Sequence, residues 1–182
     1  MTKLTEFKTK KDRIVDIIEP TADLLDEILE FVNALAHEDT FLTFHPGKMI
    51  TRDEEEGWLK NNLEAIKNQS LLIYWAISNG KIAGVVEIRR GNSVREWHIG
   101  TIGLMVDQNF RGEGLGRFLL EFILKKAKEL GIRTAIVTLF SDNEIAKNLY
   151  KKIGFVEYGV LPDGVYRKNE FSDHILMYKR VN

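Results

Sequence analysis

The 182-residue sequence contains no cysteine. That absence excludes disulfides, cysteine-ligated metal sites and a cysteinyl covalent intermediate. Any group-transfer chemistry must use another nucleophile or pass the group straight to its acceptor. Net charge is nearly absent too: 26 Lys and Arg against 27 Asp and Glu leave a formal charge of -1. Nothing global argues for a nucleic-acid or membrane partner. Proline occurs only 3 times, and no repeat, low-complexity tract or Pro/Gly/Ser linker divides the chain. No apolar stretch approaches the length that spans a bilayer, and the opening residues are polar and lysine-rich, unlike a secretory signal. The default compartment is the cytoplasm.

What is present is ordinary globular composition, 44% apolar and 29% charged, at a length that suits one domain. Residues 1–12 read as a flexible leader and 13–182 as a single domain. Arg13 to Ile18 is a short strand closed by Glu19-Pro20. Thr21 then caps a helix carrying Leu24, Leu25, Ile28, Leu29, Val32 and Leu35 at helical spacing. The stretch from His37 to Lys48 has no clear period. A second helix opens at Thr51, with Glu54 completing a capping-box pattern, and runs to about Lys67. Ser70 to Ser78 and Lys81 to Arg90 flank Asn79-Gly80, a hairpin signal because both turn positions accept positive φ. Glu96 to Val106 is another β-rich run. Helical period returns from Gly116 to Leu130, ended by Gly131. Ile132 to Phe140 is a buried-type strand, and a helix through Ile145, Ala146, Leu149 and Tyr150 follows, stopped by Gly154. Phe155 to Val160 and Phe171 to Arg180 close the order β-α-α-β-β-β-α-β-α-β-β, a mixed α/β sheet.

Gly112, Gly114 and Gly116 alternate between a strand and an amphipathic helix. Glycines so placed let successive backbone N–H groups turn toward one point with no β-carbon in the way of an anion. The helix start adds unsatisfied N–H groups and the positive end of its dipole. Arg111 and Arg117 add full charges, so a diphosphate belongs here. Glycines that merely make a tight turn are the plainer alternative, though one or two would suffice for that. A dinucleotide fingerprint needs Gly-x-Gly-x-x-Gly, yet its sixth position counted from Gly112 is Arg117. A Walker loop needs Gly-Lys-Ser/Thr, and Gly116 is followed by Arg117-Phe118. What fits is Arg-x-x-Gly-x-Gly, filled by Arg111, Gly114 and Gly116.

That hexad resembles the pyrophosphate-binding signature of the GNAT acetyltransferases. Agreement runs from His98 to Tyr178 and includes a second element in family order, Asn143…Ala146…Leu149-Tyr150…Gly154-Phe155. The first half of the chain fits only loosely, and Gln108 stands where many members have proline. The resemblance implies a GNAT-like fold: mostly antiparallel N-terminal strands, a central parallel pair splayed to hold coenzyme A, and flanking helices. It implies acetyl-CoA as acyl donor, no metal, and acetyl transfer to an amine by direct attack. The cofactor would be held by Arg111, Gly112, Glu113, Gly114, Leu115, Gly116 and Arg117, and by strand residues Leu104, Met105 and Val106, with a main-chain N–H of Met105 or Val106 facing the thioester carbonyl. Asn143 would bond the pantetheine arm or serve only as a cap, and Lys152 would reach a phosphate or stay solvated.

Tyr150 matches the family's general acid, a phenol able to protonate the departing thiolate; the alternative is a tyrosine packed beside Leu149. The base is the least defined part. Glu87, in the apolar run Val85-Val86-Glu87-Ile88, is one candidate and His98 another; either is otherwise a plain strand residue. His37, His45 and His174 lack metal-ligand spacing. Acidic residues Glu38, Asp39 and Asp53 to Glu56 and aromatic residues Phe41, Phe44, Trp58, Trp75 and Trp97 are available to an acceptor, or simply to helix starts and core. The run from Tyr166 to Met177 is similar to GNAT branches acting on free amino acids, polyamines or protein N-termini, without choosing among them. A homodimer rests on the family alone. A non-catalytic acyl-CoA-binding sensor of the same fold is the competing reading.

Overall fold

The computed structural model describes residues 2–38 and 48–181. Phe41, Phe44, His45 and Asp39 lie outside the described residues. Pairing begins inside the segment expected to be a loose leader. Strand β1, Lys3–Lys8, runs antiparallel to β2, Ile14–Ile18, from Lys8↔Ile14 to Lys3↔Ile18. Only Thr5 and Phe7 of β1 turn inward, between exposed residues, so the alternation is too thin to read beside so many lysines. Phe7 stacks on Phe118 with ring centroids 4.5 Å apart, which anchors the strand.

Helix α1, Leu25–His37, follows a 3-10 turn whose Thr21 hydroxyl accepts from the Asp23 N–H at 3.2 Å. Helix α2, Arg52–Lys67, starts with the expected capping box: the Thr51 hydroxyl accepts from the Glu54 N–H, and the Thr51 N–H donates back to the Glu54 carboxylate at 2.9 Å. Strands β3, Leu71–Ser78, and β4, Lys81–Arg90, meet across Asn79 (φ 50°) and Gly80 (φ 75°). Strand β5, Ile99–Val106, pairs with β4; helix α3, Leu115–Glu129, crosses over to β6, Thr134–Phe140; helix α4, Glu144–Ile153, leads to β7, Val156–Arg167, and β8, Glu170–Arg180.

These strands form one 8-stranded sheet in the order β1-β2-β3-β4-β5-β6-β8-β7. Every neighbouring pair is antiparallel except β5–β6. The mixed sheet with a central parallel pair is the architecture the resemblance implied. One face packs on α3 through Val86, Ile88, Leu119, Leu120 and Ile123. The other packs on α1 and α2 through Ile28, Phe31, Leu59, Ile73, Trp75 and Val85. The sheet thus separates two apolar layers.

The last hairpin is longer than its sequence signal. Strand β7 continues past Val160 through Pro162 to Arg167, with register shifts between Leu161 and Val165. It lies at the sheet edge, where proline's missing donor costs no ladder bond. Its turn uses Lys168 (φ 53°) and Asn169 (φ 63°), left-handed positions without the usual glycine. No described helix is long and apolar enough to cross a membrane.

Candidate active site

The central parallel pair is joined for only part of its length. Ile99, Gly100 and Thr101 of β5 face Thr134, Ala135 and Ile136 of β6. Beyond Thr101, β5 stays paired with β4 as far as Gly84↔Val106, while β6 stays paired with β8 as far as Phe140↔His174. Each strand follows its other neighbour, and a wedge opens between them. Leu104, Met105 and Val106 lie on one wall of a cleft of about 800 Å³; Asn143, Ala146, Leu149 and Lys152 of the α4 segment lie on the other.

At the mouth, Asp107 caps a 3-10 turn, Gln108–Phe110, by accepting from the Asn109 N–H at 2.8 Å. Gln108, standing where many members carry proline, is the first residue of that turn. Gly112 (φ 76°) and Gly114 (φ 93°) then take left-handed backbone that a β-carbon would strain. Helix α3 begins at once, and Phe118 is the first residue whose N–H finds the carbonyl four positions back, that of Gly114 at 3.1 Å. The N–H groups of residues 112–117 have no acceptor among the described residues. A helix start with this many open donors, at the edge of a cleft lined by Arg111, Gly112, Gly114, Gly116 and Arg117, can accept an anion.

The structure divides the expected cofactor residues into groups. Arg111 lines the cleft, but its guanidinium is also a strut: Nε donates to the Val106 carbonyl at 3.0 Å, and a terminal nitrogen pairs with Glu38 at 2.6 Å. Arg117 pairs with Glu121 one helical turn on, at 2.9 Å. Asn143 caps α4, its side-chain oxygen accepting from the Ala146 N–H at 3.1 Å, and also lines the cleft. Lys152 lines the cleft and has no ion pair among the described residues.

Glu113 and Leu115 differ from expectation. The Leu115 side chain is fully buried in the core, leaving only its backbone to face a ligand. Glu113 is 2% exposed and turns away from the cleft toward the β1–β2 hairpin. Its carboxylate accepts from Arg13 Nε at 3.1 Å, from an Arg13 terminal nitrogen, and pairs with Lys11 at 3.3 Å. Burial alone would raise this carboxyl, but hydrogen bonds from Arg13, Thr9 and Lys11 outweigh it and hold it below its ordinary value. A carboxylate in the middle of an anion loop would repel the ligand; here its charge is taken up behind the loop.

Tyr150 is 3% exposed and packs edge-on to Phe155, with centroids 5.1 Å apart. It is not among the residues that line the cleft, although Leu149 is, and Ala146 lies one turn before it on the same row of α4. Burial raises the phenol well above its ordinary value, so the group stays protonated throughout the physiological range. Glu87 lies opposite Gly103, where an added β-carbon would stand 3.1 Å from its Cγ and 3.2 Å from a carboxylate oxygen. Burial raises its carboxyl, and Arg89, 4.0 Å away, opposes the shift. Arg89 is in turn held by the Asn62 side-chain oxygen of α2 at 2.6 Å. Glu87 therefore belongs to the α1–α2 side of the sheet. His98 is exposed at the entry of β5, and its carbonyl receives the N–H groups of Arg133 and Thr134. The described residues contain no cluster of His, Asp or Glu able to hold a metal.

Several lining residues escaped the sequence reading: Lys10, Leu35, Phe110, Ile145 and Asn148. Ile145 and Asn148 share a face with Leu149 and Lys152, and helical spacing would have found them. Lys10 and Leu35 carry no such signal, because only the tertiary fold brings the β1–β2 turn and α1 to the cleft.

The model of the Acetyltransferase (GNAT) family matches residues 30–155. The chain belongs to that family. A GNAT-family acetyltransferase from Streptococcus pneumoniae shares 31% identity and a TM-score of 0.82, over 91% of this chain and 99% of its own. A putative acetyltransferase from Salmonella typhimurium, solved with its cofactor acetyl-CoA, has the same fold at 17% identity and a TM-score of 0.79, over 92% of this chain and 94% of its own. The putative phosphinothricin acetyltransferase YwnH of Bacillus subtilis is 36% identical over 61 residues, 34% of this chain. That match spans only 37% of the Bacillus protein's length.

Proposed function

We propose that this GNAT protein transfers an acetyl group from acetyl-CoA to a primary amine of a free amino acid, a polyamine or a protein N-terminus, without a covalent enzyme intermediate. One observation carries the reading: the open N–H groups of residues 112–117 edge a cleft between α4 and the stretch of β5 that has parted from β6. The diphosphate of coenzyme A would take those donors, and the pantetheine arm would lie along Leu104, Met105 and Val106. Strand β5 has lost β6 as a partner there, so its outward amides are available to the arm and to the thioester oxygen. A preorganised donor to that oxygen is worth roughly 2.7–4 kcal/mol.

The amine nitrogen attacks the thioester carbon, and the oxyanion of the tetrahedral intermediate is held by a β5 amide. Collapse breaks the carbon–sulfur bond, and the departing thiolate takes a proton from Tyr150. The amine's surplus proton passes to Glu87, through water, on the α1–α2 side of the sheet. A phenol whose pKa is raised by burial is a weaker acid but is always loaded with its proton. A carboxyl whose pKa is raised is a better base at neutral pH than an ordinary one.

Tyr150 stands one residue off the cleft wall, which favours a second reading, an acyl-CoA-binding sensor. An acetyl-CoA turnover screen against amino acids, polyamines and N-terminal peptides, followed by thiol release, separates the two. Turnover with any amine supports the enzyme; coenzyme A binding without turnover supports the sensor. Absence of coenzyme A binding removes both.

A homodimer belongs to the same proposal. Strand β7 is a sheet edge with Tyr158, Val160, Leu161 and Tyr166 exposed, the kind of surface a second copy covers. Sedimentation at micromolar protein should give twice the chain mass, and Tyr158→Glu should halve it. A cytoplasmic setting also belongs here; fractionation that leaves the protein with membranes would remove it.

A further inference from the structure

The cleft mouth carries cations of two kinds. Arg111 and Arg117 each hold a carboxylate, Glu38 and Glu121. Lys152 and Lys10 line the same cleft with no ion pair among the described residues. Lys10 comes from the turn of the β1–β2 hairpin, far from the loop in sequence.

That turn is fixed to the loop rather than lying near it by accident. The Lys10 N–H donates to the Glu113 carbonyl at 3.1 Å. Arg13, from the far side of the turn, grips the Glu113 carboxylate, bonds the Asn109 carbonyl and lies 3.6 Å over the Phe110 ring. The Thr9 hydroxyl accepts from the Lys11 and Arg13 N–H groups at 3.3 and 3.2 Å, which shapes the turn internally. A β-carbon placed on Gly114 would stand 3.5 Å from Phe7 and 4.0 Å from Lys10 Cε. Buried Glu113 thus ties the hairpin down through Arg13, and the Lys10 ammonium of the same turn lines the cleft with no ion pair among the described residues.

We propose that the N-terminal hairpin is the third wall of the cofactor site, and that Lys10 binds a phosphate of coenzyme A. The inference rests on the acetyl-CoA reading above. A flexible ammonium on a fixed backbone suits either the diphosphate at the loop or the 3′-phosphate beyond it. Glu113 is then a positioning residue, acting through Arg13 on where Lys10 stands.

The test is isothermal titration of wild type, Lys10→Gln, Lys10→Arg and Lys8→Gln with coenzyme A and with dephospho-coenzyme A, which lacks the 3′-phosphate. Lys8 pairs with Asp12, 2.7 Å away, and is not part of the cleft lining, so its loss controls for overall charge. Lys10→Gln should weaken coenzyme A roughly three- to ten-fold, the scale of one partly solvated ionic contact, and Lys10→Arg should restore most of it. An equal loss with both ligands assigns Lys10 to the diphosphate; a loss with coenzyme A alone assigns it to the 3′-phosphate. Unchanged affinity in Lys10→Gln, or an equal loss in Lys8→Gln, overturns the proposal. Wild type failing to bind coenzyme A at all instead removes the acetyl-CoA reading itself.

Discussion

The two faces of the sheet make their sites in different ways. On the α3 face, the candidate cofactor site is largely backbone: open amides of a glycine loop, and a strand edge exposed where β5 leaves β6. On the α1–α2 face, the candidate base is set among side chains from separated segments, Glu87 and Arg89 of β4 against Asn62 of α2. A backbone site needs a short run of residues with particular φ values, and such a run is contiguous. A side-chain site needs distant segments to arrive together, and no short run announces it.

Substitutions can break or sharpen that contrast. The largest effect is expected in the apolar layer on the α3 side: Tyr150→Phe should lower kcat about 10²–10⁴-fold with coenzyme A affinity nearly unchanged. Steady-state thiol release and titration check the two halves of that statement. An unchanged kcat would leave Tyr150 as core packing against Phe155.

Gly114→Asp should weaken coenzyme A roughly 100-fold, since the substitution forces an L-residue into φ 93° and sets a carboxylate among the amides. Titration after a circular-dichroism check of folding reads this. Intact affinity would mean the backbone site is not the phosphate site.

Glu87→Gln, across the sheet, should lower kcat/KM about 10–100-fold and leave coenzyme A affinity unchanged. Its pH dependence has a definite sign. The base acts once deprotonated, and its pKa lies above the ordinary 4.5, so the acid limb of kcat/KM is displaced upward and vanishes in Glu87→Gln. A profile identical to wild type would assign the proton to another group.

The smallest effect is on stability. Glu55 of α2 is 4% exposed, one carboxylate oxygen has no hydrogen bond, and burial raises its pKa. The folded state therefore holds this proton more tightly than the unfolded chain does. The group's contribution is most favourable below the unfolded value and is lost as pH rises through the folded one. Glu55→Gln should raise Tm by a few degrees at pH 7, a gain of about 1 kcal/mol or less, and leave it unchanged below pH ~4. Scanning calorimetry at both pH values checks this.

Legibility followed the same division. The capping box at Thr51, the Asn79-Gly80 hairpin and the helix-ending glycines Gly131 and Gly154 were readable because each is a local backbone demand. Strand β1 was not readable, since two half-buried residues among lysines look like a tail until β2 supplies their partners. Nor was the direction of Glu113. Its position in the loop suggested a cofactor contact, and only the hairpin behind it, with Arg13, explains why the side chain turns away.

The sequence by itself determined where the left-handed glycines and the open N–H groups of the helix start fall, because φ values and open N–H groups are properties of consecutive residues. The order of strands and helices from β2 onward was legible in the same way. Tertiary structure alone decided which cations line the cleft without an ion pair among the described residues, which carboxylate is hidden behind the loop, and where β5 and β6 part. Those outcomes depend on pairing between segments as far apart as Arg13 and Glu113, and a charge reveals its partner only once the sheet has brought the two together.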